Sequence, residues 1–392
     1  MKFASRMDNM SASVIRELLK SASDPAIIKF SGGFPAAELF PVDEMKQAAM
    51  KVFDEMGEAA LQYSSTDGYL PLREQIAKRM SEKEQIETDA DHILMTSGSQ
   101  MGLDFSARVF LDEGDVVLLE APSYLGAINA FKTCQPKFVS IPTDDEGMII
   151  DELKKAIAEN DNIKFCYVIP TFQNPTGKVW SLERRKQFME VMTEAEIPVV
   201  EDNPYGELRF EGESLPALKS LDTKGLVIYL GTLSKILAPG YRLGWVCASD
   251  EILEKYNVME QAGALQASTI GQMECAKYME MFSLDEHLEK ILPAYDDRRK
   301  CMIEAMEKYL PEGCKFTRSE GGLFTWIEAP EHVDLLALQP ECVKRGVAYV
   351  PGAPFFPNGG GENTARLNYS AEPEERIVEG IKIIADAIKE VM

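Results

Sequence analysis

Between residues 92 and 247, apolar runs of strand length alternate with longer amphipathic stretches. That rhythm restricts the chain more than any other feature. The runs are HILMTS (92–97), DVVLLE (115–120), KFCYVIP (164–170), IPVVED (197–202), LVIYLG (226–231) and GWVCAS (244–249). Their Val and Ile content and near-continuous apolarity suit strands covered on both faces, as in a parallel sheet. Between them, SLERRKQFMEVMTEAE (181–196) reads as an amphipathic helix. Alternating β and α elements build a layered α/β domain. After residue 285 the rhythm changes. DEHLEKILPAYDDRRKCMIEAMEKYL (285–310) is a long charged amphipathic pattern interrupted by Pro293, and a shorter mixed region follows. This reads as a second, smaller α+β domain, joined by the N-terminal segment. A chain of 392 residues has room for two domains and a sizeable core.

Composition narrows the function mainly by exclusion. Lys and Arg number 41 against 64 Asp and Glu, and the net charge of −23 repels nucleic acid phosphates and anionic lipid. No apolar run approaches the roughly 18 residues a membrane helix needs. The N-terminal MKFASRMDNMSAS lacks an apolar signal core, so export is not expected. Seven scattered cysteines with no C-x-x-C pair fit buried thiols in a reduced, cytoplasmic compartment. His92, His287 and His332 stand at no metal-ligand spacing, which argues against zinc and against a His-based triad. Proton transfer is left to Lys, Asp or Tyr. Neither G-x-G-x-x-G nor G-x-x-x-x-G-K-[ST] occurs, so dinucleotide and P-loop readings lack their phosphate cradles.

Four segments that follow strands carry the chemistry, at the place where open α/β sheets bind ligands. In TSGSQMGLD (96–104) a strand ends at Thr96 and a helix begins near Ser99. Small residues there leave backbone N–H groups for an anion, or simply make a Ser-capped turn. In IPTFQNPTG (169–177), Pro175 forces an extended backbone at Asn174 and a turn after it. The Asn174 amide either belongs to that turn or faces a ligand oxygen. In VVEDNPYG (199–206), Glu201 and Asp202 end an apolar strand, where a carboxylate is costly unless solvated or partnered by a cation. In LGTLSKILAPGYRLGW (230–245), Lys235 lies among Thr232, Ser234 and Arg242. The hydroxyls and the guanidinium suit phosphate, and a lysine there can form a Schiff base.

Taken together, these segments resemble the fold type I pyridoxal phosphate (PLP) aminotransferases of class I/II, and within them the 2-aminoadipate and kynurenine aminotransferase-like enzymes. The resemblance runs from FSGGFPAAELFP (30–41) through LQYSSTDGYLPLRE (61–74), EGGLFTW (320–326) and VPGAPFF (350–356) to ARLNYS (365–370). Spacings agree as well: Asn174 to Asp202 is 28 residues, Asp202 to Tyr205 is 3, and Lys235 to Arg242 is 7. The resemblance implies a large domain (44–285) with a mostly parallel seven-stranded sheet covered by helices. It implies a small α+β domain (286–392) and an N-terminal segment (1–43) that joins the small domain and covers the active site.

The roles that follow are implied by the resemblance. Lys235 carries the cofactor as a Schiff base and later moves the substrate proton. Asp202 pairs with the pyridine nitrogen. Asn174 and Tyr205 bond the ring's 3-oxygen, Tyr124 stacks on one ring face, and Pro204 lies near the other. Ser99, Gln100, Ser234 and Arg242 hold the phosphate, with Thr232 a further candidate. Tyr63 reaches the phosphate of a partner subunit, which makes the enzyme a homodimer with shared sites. Arg366 takes the substrate α-carboxylate with help from the Gly33 backbone and Asn174. Arg16, in Ile15-Arg16-Glu17-Leu18-Leu19, is either a surface residue or the contact for a distal substrate carboxylate. The substrates expected are an L-amino acid (2-aminoadipate, aromatic or branched-chain) and a 2-oxo acid, 2-oxoglutarate. Two alternatives share these residues: a β-lyase or synthase, and an effector-sensing transcription regulator. The second needs an N-terminal winged helix, for which about 30 residues before FSGGFP leave little room.

Overall fold

The computed structural model describes residues 1–9, 24 and 26–392. Its first strand, β1 (Ile28–Lys29), lies outside the main sheet. That sheet holds β2 (Ile93–Thr96), β3 (Val116–Ala121), β4 (Lys137–Asp144), β5 (Gly147–Met148), β6 (Ile163–Val168), β7 (Val199–Asp202), β8 (Val227–Thr232) and β9 (Gly244–Cys247). Across the sheet the order is β2-β9-β8-β7-β6-β3-β4-β5. Each apolar run named above forms a strand. β4 was not among them, because its pattern is half exposed and so not continuously apolar. β5 adds a two-residue eighth strand to the expected seven.

Strands β8, β7, β6, β3 and β4 pair in parallel, whereas β9 runs antiparallel to both β8 and β2. β2 and β8 therefore point the same way, and the carboxyl ends of β2, β3, β6, β7 and β8 share one edge. The amino end of β9 joins them there. Helices cover both faces. Leu103, Phe131 and Tyr256 pack on one side with Val200, and Leu153, Phe188 and Leu218 pack on the other with Val199. This is the layered burial that a continuous apolar strand requires.

A four-stranded antiparallel sheet follows in the order β10-β11-β14-β13. It comprises β10 (Lys315–Phe316), β11 (Phe324–Glu328), β13 (Val350–Pro351) and β14 (Thr364–Asn368), and β12 (Val347–Ala348) lies just before β13. β1 pairs in parallel with β12, so the chain's beginning is tied to its last third. The helix Glu374–Lys389 lays Ile377, Ile381, Ile384 and Ile388 into this second core. Their i, i+4, i+7, i+11 spacing is one helical face.

Pro293 does not interrupt the helix it sits in, which runs unbroken from Leu284 to Tyr309. Proline removes one N–H and frees the carbonyl four residues earlier. Here that carbonyl belongs to Glu289, and both Glu289 and Pro293 are exposed, so water can satisfy it. Leu284, Leu288, Ile291 and Tyr295 of this helix pack with the large-sheet side, and Met302, Ala305 and Met306 pack with the second core.

Among the described residues, no helix is long and apolar enough to cross a membrane, and no His/Cys/Asp/Glu group could hold a metal. All seven cysteines are free thiols.

Candidate active site

A cavity of about 300 Å³ opens at the carboxyl edge of the large sheet, against the second core. Gly33, Ser99, Gln100, Tyr124, Asn174, Asp202, Pro204, Tyr205, Thr232, Ser234, Lys235, Arg242 and Arg366 all line it. Tyr63, 76% exposed, lies elsewhere on this chain's surface. Arg16 falls outside the described residues.

Strand alternation separates the two acids that end β7. Register pairs Glu201 with Val168 and Tyr229, and the Glu201 carboxylate accepts the N–H groups of Leu218 and Lys219, both at 2.8 Å. These N–H groups open the short helix Leu218–Leu221, so Glu201 is a buried capping acid. Asp202 points the other way, into the cavity. Its Oδ2 accepts the Tyr167 hydroxyl at 3.0 Å, and its buried Oδ1 has no partner among the described residues. Burial pushes Asp202 up to about 7, opposed by the Tyr167 bond and by the charge of Lys235.

Lys235 follows β8, and its Nζ donates to the Gly33 carbonyl at 2.7 Å. Burial lowers it to about 8, helped by the charges of Arg366 and Arg242 and opposed by Asp202. About a tenth of the amine is therefore neutral at pH 7, far more than for a free lysine, and the neutral form is the one that acts as nucleophile or base.

The helix Ser99–Phe110 begins at this edge behind Gly98, and no side chain caps it. Gly98 has φ +75°, and a Cβ there would lie 2.6 Å from Arg242 Nη2. Only glycine lets the guanidinium close over the helix start. Arg242 itself takes a left-handed backbone, φ +51°, two residues before β9, a conformation that costs about 1–2 kcal/mol for a non-glycine residue. Its Nη1 reaches Ser234 Oγ at 3.4 Å. Thr232 is engaged inward: it donates to the Leu243 carbonyl at 2.8 Å and accepts the Ser234 N–H at 3.1 Å.

Arg366 sits mid-strand on β14, opposite Trp326 and Val350. It is 2% exposed, and it donates to Asn174 Oδ1 and to the Ser31 carbonyl, both at 3.0 Å. Phe324 backs its guanidinium face at 4.2 Å and Phe355 at 5.5 Å. Among the described residues no carboxylate pairs with it, its Nε has no partner, and burial pulls it down to about 10. A buried cation without a counter-ion is costly unless a ligand supplies one. Asn174 also donates to the Tyr205 hydroxyl at 3.3 Å. The Gln173–Gly177 turn holds it there, with Gln173 Oε1 accepting from Thr176 N at 2.8 Å and Oγ1 at 2.7 Å.

Phe324, Ile169 and Pro239 also line the cavity, and Tyr167 lies behind Asp202; none was named as a site residue from the sequence. Phe324 stood inside EGGLFTW and Tyr167 inside an identified strand, but nothing local marks either as facing a ligand.

These groups fit pyridoxal phosphate. The uncapped helix start under Arg242 suits a phosphate, the orphaned Asp202 oxygen suits a ring nitrogen, and the Lys235 amine suits an aldehyde. The family described as Aminotransferase class I and II matches residues 25–384. An aromatic-amino-acid aminotransferase from Thermococcus litoralis is 44% identical over 394 residues, covering 100% of this chain and 94% of that one. The kynurenine aminotransferase of Pyrococcus horikoshii, solved in complex with PMP, is 40% identical with a TM-score of 0.95, covering 99% and 97% of the two chains. The α-aminoadipate aminotransferase of Thermus thermophilus, solved with N-(5'-phosphopyridoxyl)-L-leucine, is 39% identical with a TM-score of 0.92, again covering 99% and 97%. With both the family match and its relatives extending over almost its full length, the chain belongs to the class I and II aminotransferase family and works with pyridoxal phosphate.

Proposed function

We propose that the enzyme moves the amino group of an L-amino acid of 2-aminoadipate, aromatic or branched-chain type to a 2-oxo acid, 2-oxoglutarate, in a ping-pong cycle. The observation that carries the reading is Arg366, a buried cation that shares the cavity with Lys235 and Asp202 and that no carboxylate pairs with among the described residues. An α-carboxylate is the ligand group that completes it. The named activities of the relatives support donors of these kinds.

When bound, pyridoxal phosphate supplies the electron sink that lets the substrate Cα–H bond break. The chain's own residues do the rest. Arg366 fixes the carboxylate with help from Gly33 and Asn174, which places the Cα–H near Lys235. The Lys235 amine would accept that proton and hold it for return to the bound substrate–cofactor pair. Asp202 would face the ring nitrogen, Asn174 and Tyr205 would hold the 3-oxygen, and Tyr124 and Pro204 would lie against the ring. Ser99, Gln100, Ser234 and Arg242 anchor the phosphate. Thr232, already bonded inward, orders Ser234 instead of touching the ligand.

The same reading makes the enzyme a cytoplasmic homodimer in which Tyr63 completes the partner's phosphate site. Phe34, Phe53, Leu61, Tyr63 and Leu265 are each exposed on this chain, and the proposed dimer would cover some of them. Arg16 would meet the distal carboxylate of dicarboxylic donors, so Arg16→Ala should weaken 2-aminoadipate and glutamate selectively.

A donor panel against 2-oxoglutarate tests the proposal. Stoichiometric glutamate and 2-oxo acid are expected. Ammonia release or β-fragmentation without stoichiometric glutamate would replace it with a lyase.

A further inference from the structure

Asp202 is held from behind by a residue of the neighbouring strand. Register pairs Tyr167 of β6 with Val200 of β7. Val200 and Asp202 share a strand face, so Tyr167 and Asp202 are diagonal neighbours. The Tyr167 hydroxyl donates to Asp202 Oδ2 at 3.0 Å, and among the described residues it bonds nothing else. Its ring is fully buried, edge-on to Phe131 at 5.5 Å, and Phe131 is in turn edge-on to Phe165 at 5.1 Å. A phenylalanine would fill that aromatic cluster equally well, so packing does not account for the hydroxyl.

We propose that Tyr167 is a positioning residue for the transamination: its hydroxyl engages one carboxylate oxygen of Asp202 and stabilises the ionised form, so that the proton shared with the cofactor's ring nitrogen rests on nitrogen. The inference rests on the reading that Asp202 meets that nitrogen.

The physical case is a balance of proton affinities. A proton between a carboxylate and a pyridine sits on whichever group is held less favourably without it. Burial drives Asp202 toward its neutral form, and among the described residues the Tyr167 bond and the charge of Lys235 oppose it. Once the Lys235 amine is neutral, its charge no longer helps. Among the described residues, Tyr167 is then the remaining group that favours the carboxylate. Burial and the Asp202 charge raise the Tyr167 phenol well above its usual range, so it stays a donor across the working pH. With Oδ2 occupied, Oδ1 is the oxygen without a partner.

The test uses holoenzyme carrying cofactor labelled with ¹⁵N in the ring. In Tyr167→Phe the ring-nitrogen resonance should move toward the unprotonated position, and kcat/KM should fall about tenfold to a hundredfold. In an Asp202→Asn background the same change should add nothing to either readout. Replacing Tyr167 with 3-fluorotyrosine keeps the bond with a stronger donor, and should leave the resonance at or beyond the wild-type protonated position. That substitution also serves if the phenylalanine variant does not fold. An unchanged resonance in Tyr167→Phe, an equal loss in both backgrounds, or a 3-fluorotyrosine enzyme that moves toward the unprotonated position would overturn the role of Tyr167. Asp202→Asn with an unchanged nitrogen signal would instead overturn the assignment of Asp202.

Discussion

Replacing Arg366 with methionine separates binding from folding. The guanidinium is 2% exposed and lies in the cavity with Lys235. A substrate carboxylate there forms a desolvated, two-point ion pair. Removing one partner of such a pair costs about 3–5 kcal/mol, which is about two to four decades in kcat/KM. Folding should respond far less. The variant no longer buries an uncompensated cation, which favours the native state. Against that, Asn174 Oδ1 and the Ser31 carbonyl lose their 3.0 Å donors, each worth about 1–3 kcal/mol if left dry. The two effects offset, and methionine retains contact with Phe324. The assay compares L-amino acids with amines of the same side chain that lack the carboxylate, with thermal melting alongside. The expected result is a loss of two decades or more for amino acids and near-indifference for the amines, with Tm shifted by only a few degrees. Equal losses for both substrate types, or a collapse of Tm, would refute the carboxylate reasoning.

Three other outcomes follow, two from the same geometry and the third from the proposed dimer. Borohydride treatment of the holoenzyme should fix the cofactor on Lys235, and Lys235→Ala should yield no such adduct; in apoprotein the amine should become reactive as pH rises through about 8, and a midpoint near the 10.5 of a free lysine would contradict the burial argument. Glu201→Gln should lower stability with the cofactor's nitrogen still protonated, because Glu201 caps Leu218 and Lys219, whereas Asp202→Ala should drop single-turnover transamination by several decades; the reverse pattern would exchange the two acids. Sedimentation should find a dimer with a large obligate interface, and a mixture of inactive Lys235→Ala and phosphate-weakened Tyr63→Ala chains should recover a site in the hybrid; an active monomer would refute the shared site.

Much of this enzyme is written locally. A continuous apolar run followed by a small or polar turn is a strand delivering residues to the sheet edge, so β2, β6, β7 and β8 and the cavity residues after them were legible from a few residues each. The S-K-x-x-x-P-G-x-R context around Lys235 is of the same kind. β4 was not legible, because a half-exposed strand has no continuous apolar signal. Pro293 misled because its effect depends on whether the freed carbonyl meets water.

What the tertiary structure decided is how neighbours in sequence divide their duties. Glu201 and Asp202 look alike in the chain, and alternation says only that they point opposite ways. The register with β6 and the helix start at Leu218 put Glu201 on the buried cap and Asp202 in the cavity. Thr232 and Ser234 were likewise equivalent until the antiparallel β9 brought the Leu243 carbonyl to Thr232. Phe324 lines the cavity and Tyr167 lies behind it, and only partners 42 and 35 positions away, Arg366 and Asp202, place them there. A sequence records which groups a strand can present; which of them meets a ligand depends on what the other strands and helices have already bonded.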